Sequence, residues 1–197
     1  MTDMTRREAV TVLGALALSA AACSDAGRKA QEARDKAAKS QQAYTPQFFT
    51  PHEWATVKIL SDLIIPRDQR SGSASDAGVA EFMDFMMMDR PDGQVPMRGG
   101  LAWIDATMRD STGKSFVEAT DEERRALLDQ IAWPRKAPPE LSQGVSFFND
   151  FRDLTASGFF SSRMGVKDLQ YQGNVPLPSW NGCPPEALAK LGVAYGS

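Results

Sequence analysis

The sequence predicts an all-α protein: a small bundle of about five helices with an irregular aromatic C-terminal tail, preceded by a signal peptide and a flexible spacer. Three observations predict it. Apolar residues recur at helical spacing in successive stretches. Several stretches open or close on cap signals such as Thr50-Pro51-His52-Glu53 and Thr120-Asp121-Glu122-Glu123. Nowhere does a run of Val, Ile and Thr alternate with polar residues over strand length.

Residues 1–22 read as an export signal. Thr5-Arg6-Arg7-Glu8 precedes an apolar run from Ala9 to Ala22, shorter than the ~20 residues of a spanning helix. The Arg6-Arg7 pair fits a twin-arginine signal, and it also fits the positive n-region of an ordinary secretory one. Ala20-Ala21-Ala22 suits A-x-A cleavage. Cys23, directly after them, stands where bacterial lipoproteins accept their lipid, although Ala20 occupies the position that leucine usually takes in such signals. Residues 23–47 form the anchor and spacer: from Ser24 to Gln42 the residues show no apolar face, so they have no core to bury.

The folded domain is expected over residues 48–197. Thr50 caps the first helix, Pro51 suits its first turn, Glu53 completes a capping box, and Phe49 with Trp54 forms a hydrophobic staple. Trp54, Val57, Leu60 and Ile64 follow helical spacing until Pro66. A Ser- and Gly-rich loop from Arg67 to Ser75 leads to a second helix marked by Val79, Phe82, Met83 and Met86. Consecutive Met86, Met87 and Met88 point in different directions on a helix, so they read as packing and not as a soft-metal site. A third helix spans roughly Met97 to Arg109, and Gly113 ends that region. Thr120 caps the fourth, which carries Arg124, Leu127, Leu128 and Ile131. The fifth runs from about Leu141 to Ala156 with Val145, Phe148, Phe151 and Leu154 inward and Gly158 as its C-terminal cap.

Composition and motifs exclude several functions. A net charge of -3 and a pI near 5.3 give no electrostatic footprint for nucleic acid. The single histidine, His52, has no His or Cys neighbours for a zinc site. There is no Cys-x-x-Cys-His, no cysteine set for an iron–sulfur cluster, and no Gly-x-Gly-x-x-Gly after a strand. Ser161-Ser162 beside Arg163 is the densest nucleophile candidate, and Ser162 reads better as the cap of a short turn from Arg163 to Leu169. The expectation is a chain with no catalytic, cofactor or metal site. In an oxidising compartment Cys183 would lack an internal partner once Cys23 is removed or acylated, which leaves a small buried hydrophobe, an intermolecular bridge or a reactive thiol.

The tail holds Gly158-Phe159-Phe160-Ser161-Ser162, then Tyr171, then Trp180-Asn181-Gly182-Cys183-Pro184. Aromatic residues on irregular backbone either fold back on the chain or bury against a partner. Together with Leu63-Ile64-Ile65-Pro66 and Asp76-Ala77-Gly78-Val79, these stretches resemble the gluconate 2-dehydrogenase subunit 3 family, over about Phe48 to the end.

That resemblance implies a noncatalytic small subunit of a flavoprotein dehydrogenase of the glucose-methanol-choline type. FAD is expected in the partner, electrons often pass on to a cytochrome c subunit, and the substrates are sugars, sugar acids or glycosides. It implies that the small subunit's signal, with Arg6 and Arg7, carries the folded partner to the periplasm by the twin-arginine route, with a membrane anchor if Cys23 is acylated. Phe159, Phe160, Tyr171 and Trp180 are then expected to grip the partner, and Cys183 is a candidate bridge to it. Two other readings compete: a stand-alone exported helical lipoprotein binding a small ligand, and an enzyme whose site the motifs do not reveal.

Overall fold

The computed structural model describes residues 44–171, 173, 179 and 182–195. Arg6, Arg7, Cys23 and Trp180 lie outside the described residues. Among the described residues there are seven α-helices and no strand. Five form the body: α1 (Pro51–Ile64), α2 (Val79–Asp89), α3 (Gln94–Thr112), α4 (Asp121–Ile131) and α5 (Ser142–Phe160). Two short ones follow, α6 (Arg163–Asp168) and α7 (Pro185–Leu191).

The local signals form as expected. Thr50 Oγ1 accepts from the Glu53 amide while the Thr50 amide donates to the Glu53 carboxylate, and Thr120 and Glu123 repeat the arrangement at α4. Phe49 and Trp54 close the staple with ring centroids 6.3 Å apart. Ser162 caps α6 by accepting from the Gly165 amide at 3.0 Å. Gly113, at φ 75°, ends α3 in the left-handed conformation that favours glycine. Helix α3 starts earlier than its apolar spacing suggests. A 3₁₀ turn over Pro91–Gly93 feeds straight into it, and Pro96 sits in its first turn, where an amide has no helical partner to lose.

The end of α5 departs from expectation. Gly158 does not cap the helix, which runs on to Phe160. A Cβ at Gly158 would lie 2.8 Å from the Phe82 ring of α2, so this glycine is a packing residue that lets α2 close on α5. The phenylalanine pair is therefore helical, and successive helical residues point about 100° apart. Phe159 turns into the core at 1% exposure and Phe160 turns out at 42%.

Helix α5 is the spine, packed against α1, α2, α3, α4 and α6. Its contact with α3 interlocks reciprocally. A Cβ at Gly100 of α3 would sit 1.8 Å from the Phe147 ring, and a Cβ at Gly144 of α5 would sit 2.2 Å from the Trp103 ring. Each helix receives the other's aromatic ring on bare backbone. Around this seam Ile104, Met108, Ile131 and Phe151 are fully buried.

Two buried carboxylates fix the segments that join the helices. Asp84 of α2 is 1% exposed and accepts from the amides of Gln47, Phe48 and Phe49 and from the Tyr44 hydroxyl at 2.8 Å. Burial, then the hydrogen bond to Asp84, pushes the Tyr44 phenol well above its ordinary range. Tyr44 also stacks on Trp54. Tyr44, within the stretch that the sequence reads as spacer, is thereby packed on the bundle. Asp105 of α3 accepts from the Phe116 amide at 2.9 Å and pairs with His52 and Arg109. Arg124 donates to the carbonyls of Phe116 and Val117, so the loop between α3 and α4 is held from both sides.

Two predictions follow from this packing. In chemical denaturation, Gly100→Ala lowers stability by about 1–3 kcal/mol through overpacking against Phe147, whereas Gly99→Ala, whose Cβ meets nothing within 4 Å, raises it by about 0.5–1 kcal/mol. Equal effects at the two positions would contradict the interlock. The Lys114 ammonium, then the Thr120 amide, lower the Glu123 carboxyl from 4.5 to about 2. A depressed folded-state value stabilises above the unfolded value and is lost as pH falls through the folded one. Melting temperatures should therefore drop between about 4.5 and about 2, more steeply in the native chain than in Glu123→Gln. Parallel acid limbs would exclude Glu123 as a contributor.

Candidate interaction surface

Met88, Val95 and Trp133 are exposed singly on the bundle, and the other large exposed apolar residues gather on two parts of the chain. At the corner where α5 turns into α6, Phe160, Val166, Leu169 and Tyr171 are exposed, with Leu169 at 59% and Tyr171 at 55%. The corner is rigid. A Cβ at Gly165 would lie 2.1 Å from the Phe159 carbonyl oxygen, so α6 folds back tightly on the end of α5. The Tyr171 amide donates to the Val166 carbonyl, and Arg70 donates to the Asp168 carbonyl at 2.6 Å, tying α6 to the loop after α1.

The second part is the C-terminal unit of residues 182–195. Leu191, Val193 and Tyr195 are exposed there, and Cys183 is a free, exposed thiol. The Cys183 amide donates to the Tyr195 hydroxyl. Gly182, at φ 87°, brings its backbone so close to the Tyr195 ring that a Cβ would lie 2.9 Å away. This turn presents the Cys183 thiol outward, so of its sequence readings the buried hydrophobe is the one that the fold overturns.

Of the residues expected to grip a partner, Phe160 and Tyr171 share the α5–α6 corner and Cys183 lies on the C-terminal unit. Phe159 does not reach the surface. It packs in the core with its ring edge-on to Phe160 at 5.2 Å, because the helix continues through it. Phe159 therefore contributes stability, and only Phe160 of the pair is available for contact.

Sequence reasoning missed a groove of about 810 Å³ between α3, α5 and the end of α2. Met86, Met97, Trp103, Phe147 and Leu154 line it, with Arg90, Asp92 and Asp150 also on its walls. Its signals were the Met86-Met87 pair and the Gly99-Gly100 pair. The pair of His52 and Asp105 was also missed. Asp105 already serves Arg109 and the Phe116 amide, so the arrangement clamps α1 to α3.

Lowered carboxylates elsewhere are loop staples. The Ser73 amide holds Asp76 down, the amides of Ser71 and Arg70 hold Asp68 down, and the Ser115 hydroxyl and amide hold Glu118 down. None of them lies at the corner or in the groove, so perturbed acidity does not mark either surface as a reaction centre. Among the described residues no group of three or more His, Cys, Asp or Glu is placed to hold a metal ion, and no helix is long and apolar enough to cross a membrane.

The phenylalanine pair separates stability from contact. Phe159→Ala should cost about 3–5 kcal/mol, read by denaturant unfolding, while Phe160→Ala shifts the midpoint only slightly. Equal losses would place both rings in the core.

A family model described as gluconate 2-dehydrogenase subunit 3 matches residues 51–178. No curated protein and no solved structure matches the chain. The match opens on the first residue of α1 and takes in the whole bundle, α6 and Tyr171, while Trp180 and Cys183 fall beyond it. With more than half of its length so matched, the chain belongs to the gluconate 2-dehydrogenase subunit 3 family.

Proposed function

We propose that this chain is the noncatalytic small subunit of a periplasmic, FAD-dependent dehydrogenase of the glucose-methanol-choline type that oxidises sugars, sugar acids or glycosides. It steadies the catalytic subunit and, through Arg6 and Arg7, carries it across the membrane by the twin-arginine route. FAD resides in the partner, and a cytochrome c subunit takes the electrons. Acylation of Cys23 anchors the complex, and the Cys183 thiol bridges to the partner.

Family membership supports a place in a dehydrogenase complex. The observation that carries the contact role is the α5–α6 corner: a bundle with a closed core leaves Phe160, Leu169 and Tyr171 exposed on a tightly braced turn. Clustered, rigid aromatic residues are the kind that dominate binding energy at protein interfaces, since they bury much area at little entropic cost.

The test is co-expression of the tagged chain with a flavoprotein dehydrogenase of the proposed type from the same cells. Phe160→Asp combined with Tyr171→Asp should lower the dehydrogenase recovered with the chain at least tenfold, about 1.4 kcal/mol, with the small subunit's own level and melting temperature unchanged. Replacing Arg6 and Arg7 by lysine should leave both proteins in the cytoplasm. Undiminished recovery from the double variant would rule out the corner as the grip. Oxidation of sugars by the purified chain alone, with an artificial electron acceptor, would end the noncatalytic reading.

A further inference from the structure

We infer that the groove between α3, α5 and the end of α2 is a second docking site, which takes a helix of the dehydrogenase's catalytic subunit. The inference rests on the reading above that such a subunit is the partner. It concerns residues distinct from the α5–α6 corner.

The walls are continuous helical faces. Helix α5 contributes Gln143, Phe147, Asp150 and Leu154, spaced three to four apart, and helix α3 contributes Val95, Gly99 and Trp103, spaced four apart. The α5 face spans about eleven residues, roughly 17 Å at 1.5 Å per residue. That is the length of a three-turn helix, the usual occupant of an apolar groove between helices. Met86, Met87 and Met97 line it as well, and unbranched thioether side chains adapt their shape to a ligand's ridges.

Gly99 is the observation that the chain's own packing does not explain. Glycine inside a helix destabilises it relative to alanine. Its neighbour Gly100 is required by the Phe147 ring, yet among the described residues a Cβ at Gly99 would meet nothing within 4 Å. Gly99 is exposed and opens on the groove, where bare backbone allows a second helix to approach closely. Val95, one turn away on the same face, is 80% exposed.

Charge specifies the partner further. Arg90, Asp92 and Asp150 are exposed on the groove walls, and none of them makes an ion pair among the described residues. A complementary helix carries large apolar residues at positions i, i+4 and i+7, a basic residue facing Asp92 or Asp150, and an acidic one facing Arg90. A small-molecule site would set converging polar groups within an enclosing pocket. Here the charges are exposed and the floor is apolar, which favours a helix.

The experiment uses the co-expressed complex. Gly99→Leu fills the groove, and Val95→Asp charges its lip at a position with no core role. Both should fold as the native chain does, by circular dichroism and melting temperature, and both should reduce recovery of the catalytic subunit at least tenfold. In the native complex, amide hydrogen exchange should slow over residues 86–103 and 143–154 relative to the free chain, and this protection should vanish in Gly99→Leu. If Val95→Asp, folded, recovers the catalytic subunit as the native chain does, the groove is not its dock, although the corner reading survives. If the native chain recovers no dehydrogenase at all, both readings fall. A small molecule seen by native mass spectrometry on the purified chain and lost in Gly99→Leu, or self-association lost in that variant, would also overturn the assignment.

Discussion

The seam between α3 and α5 sets the geometry on which every other element depends. Two rings, Phe147 and Trp103, each lie on a glycine of the opposite helix, Gly100 and Gly144. Interiors are packed densely enough that a single methylene is felt, so two such reciprocal insertions fix both the separation and the register of the pair. Neither helix slides along the other without driving a ring into backbone. Because α5 also packs against α1, α2, α4 and α6, that one register is passed on to the whole bundle. The same logic recurs where Phe82 of α2 sits on Gly158.

Around this apolar frame the polar contacts have a narrower task. Asp84 and Asp105 are each more than nine-tenths buried, a costly state for a carboxylate without partners. Both accept hydrogen bonds from outside their own helix, among them the amides of Phe48, Phe49 and Phe116. These two residues therefore fix the lead-in to α1 and the loop between α3 and α4. Arg98 completes the first of them, donating to the Phe48 carbonyl and both Glu53 oxygens and stacking 4.3 Å from the Phe48 ring.

What was legible in the sequence divides along the same line. Capping boxes at Thr50 and Thr120 and the cap at Ser162 are contacts between residues three apart, so the sequence states them outright. The all-α class follows from periodicity, another local property. Gly158 was misread because a glycine near the end of an apolar stretch looks the same whether it caps a helix or receives a ring from a distant one. Only the position of Phe82 distinguishes the two, and that is a long-range fact. The error carried over to Phe159, which reads as a tail residue if the helix has ended and as core if it has not. The groove was illegible for the same reason: its walls come from residues some fifty positions apart. From sequence Cys183 reads first as a buried hydrophobe, and only the turn set by Gly182 and Tyr195 turns it outward.

The placement of the exposed surfaces on α5 has a consequence for assembly. The α5–α6 corner begins at Phe160, and the groove follows the earlier turns of the same helix. Helix α5 holds its conformation through the neighbours that bury its other faces, since most helical stability in proteins comes from tertiary packing. Both surfaces therefore exist only when α1 to α4 are in place, and a partner that binds them binds the folded chain and not the unfolded one. Mass action then stabilises the bundle by an amount that grows with the logarithm of partner concentration. A surface built in this way discriminates for the chain's own folded state, which agrees with the escort role proposed above.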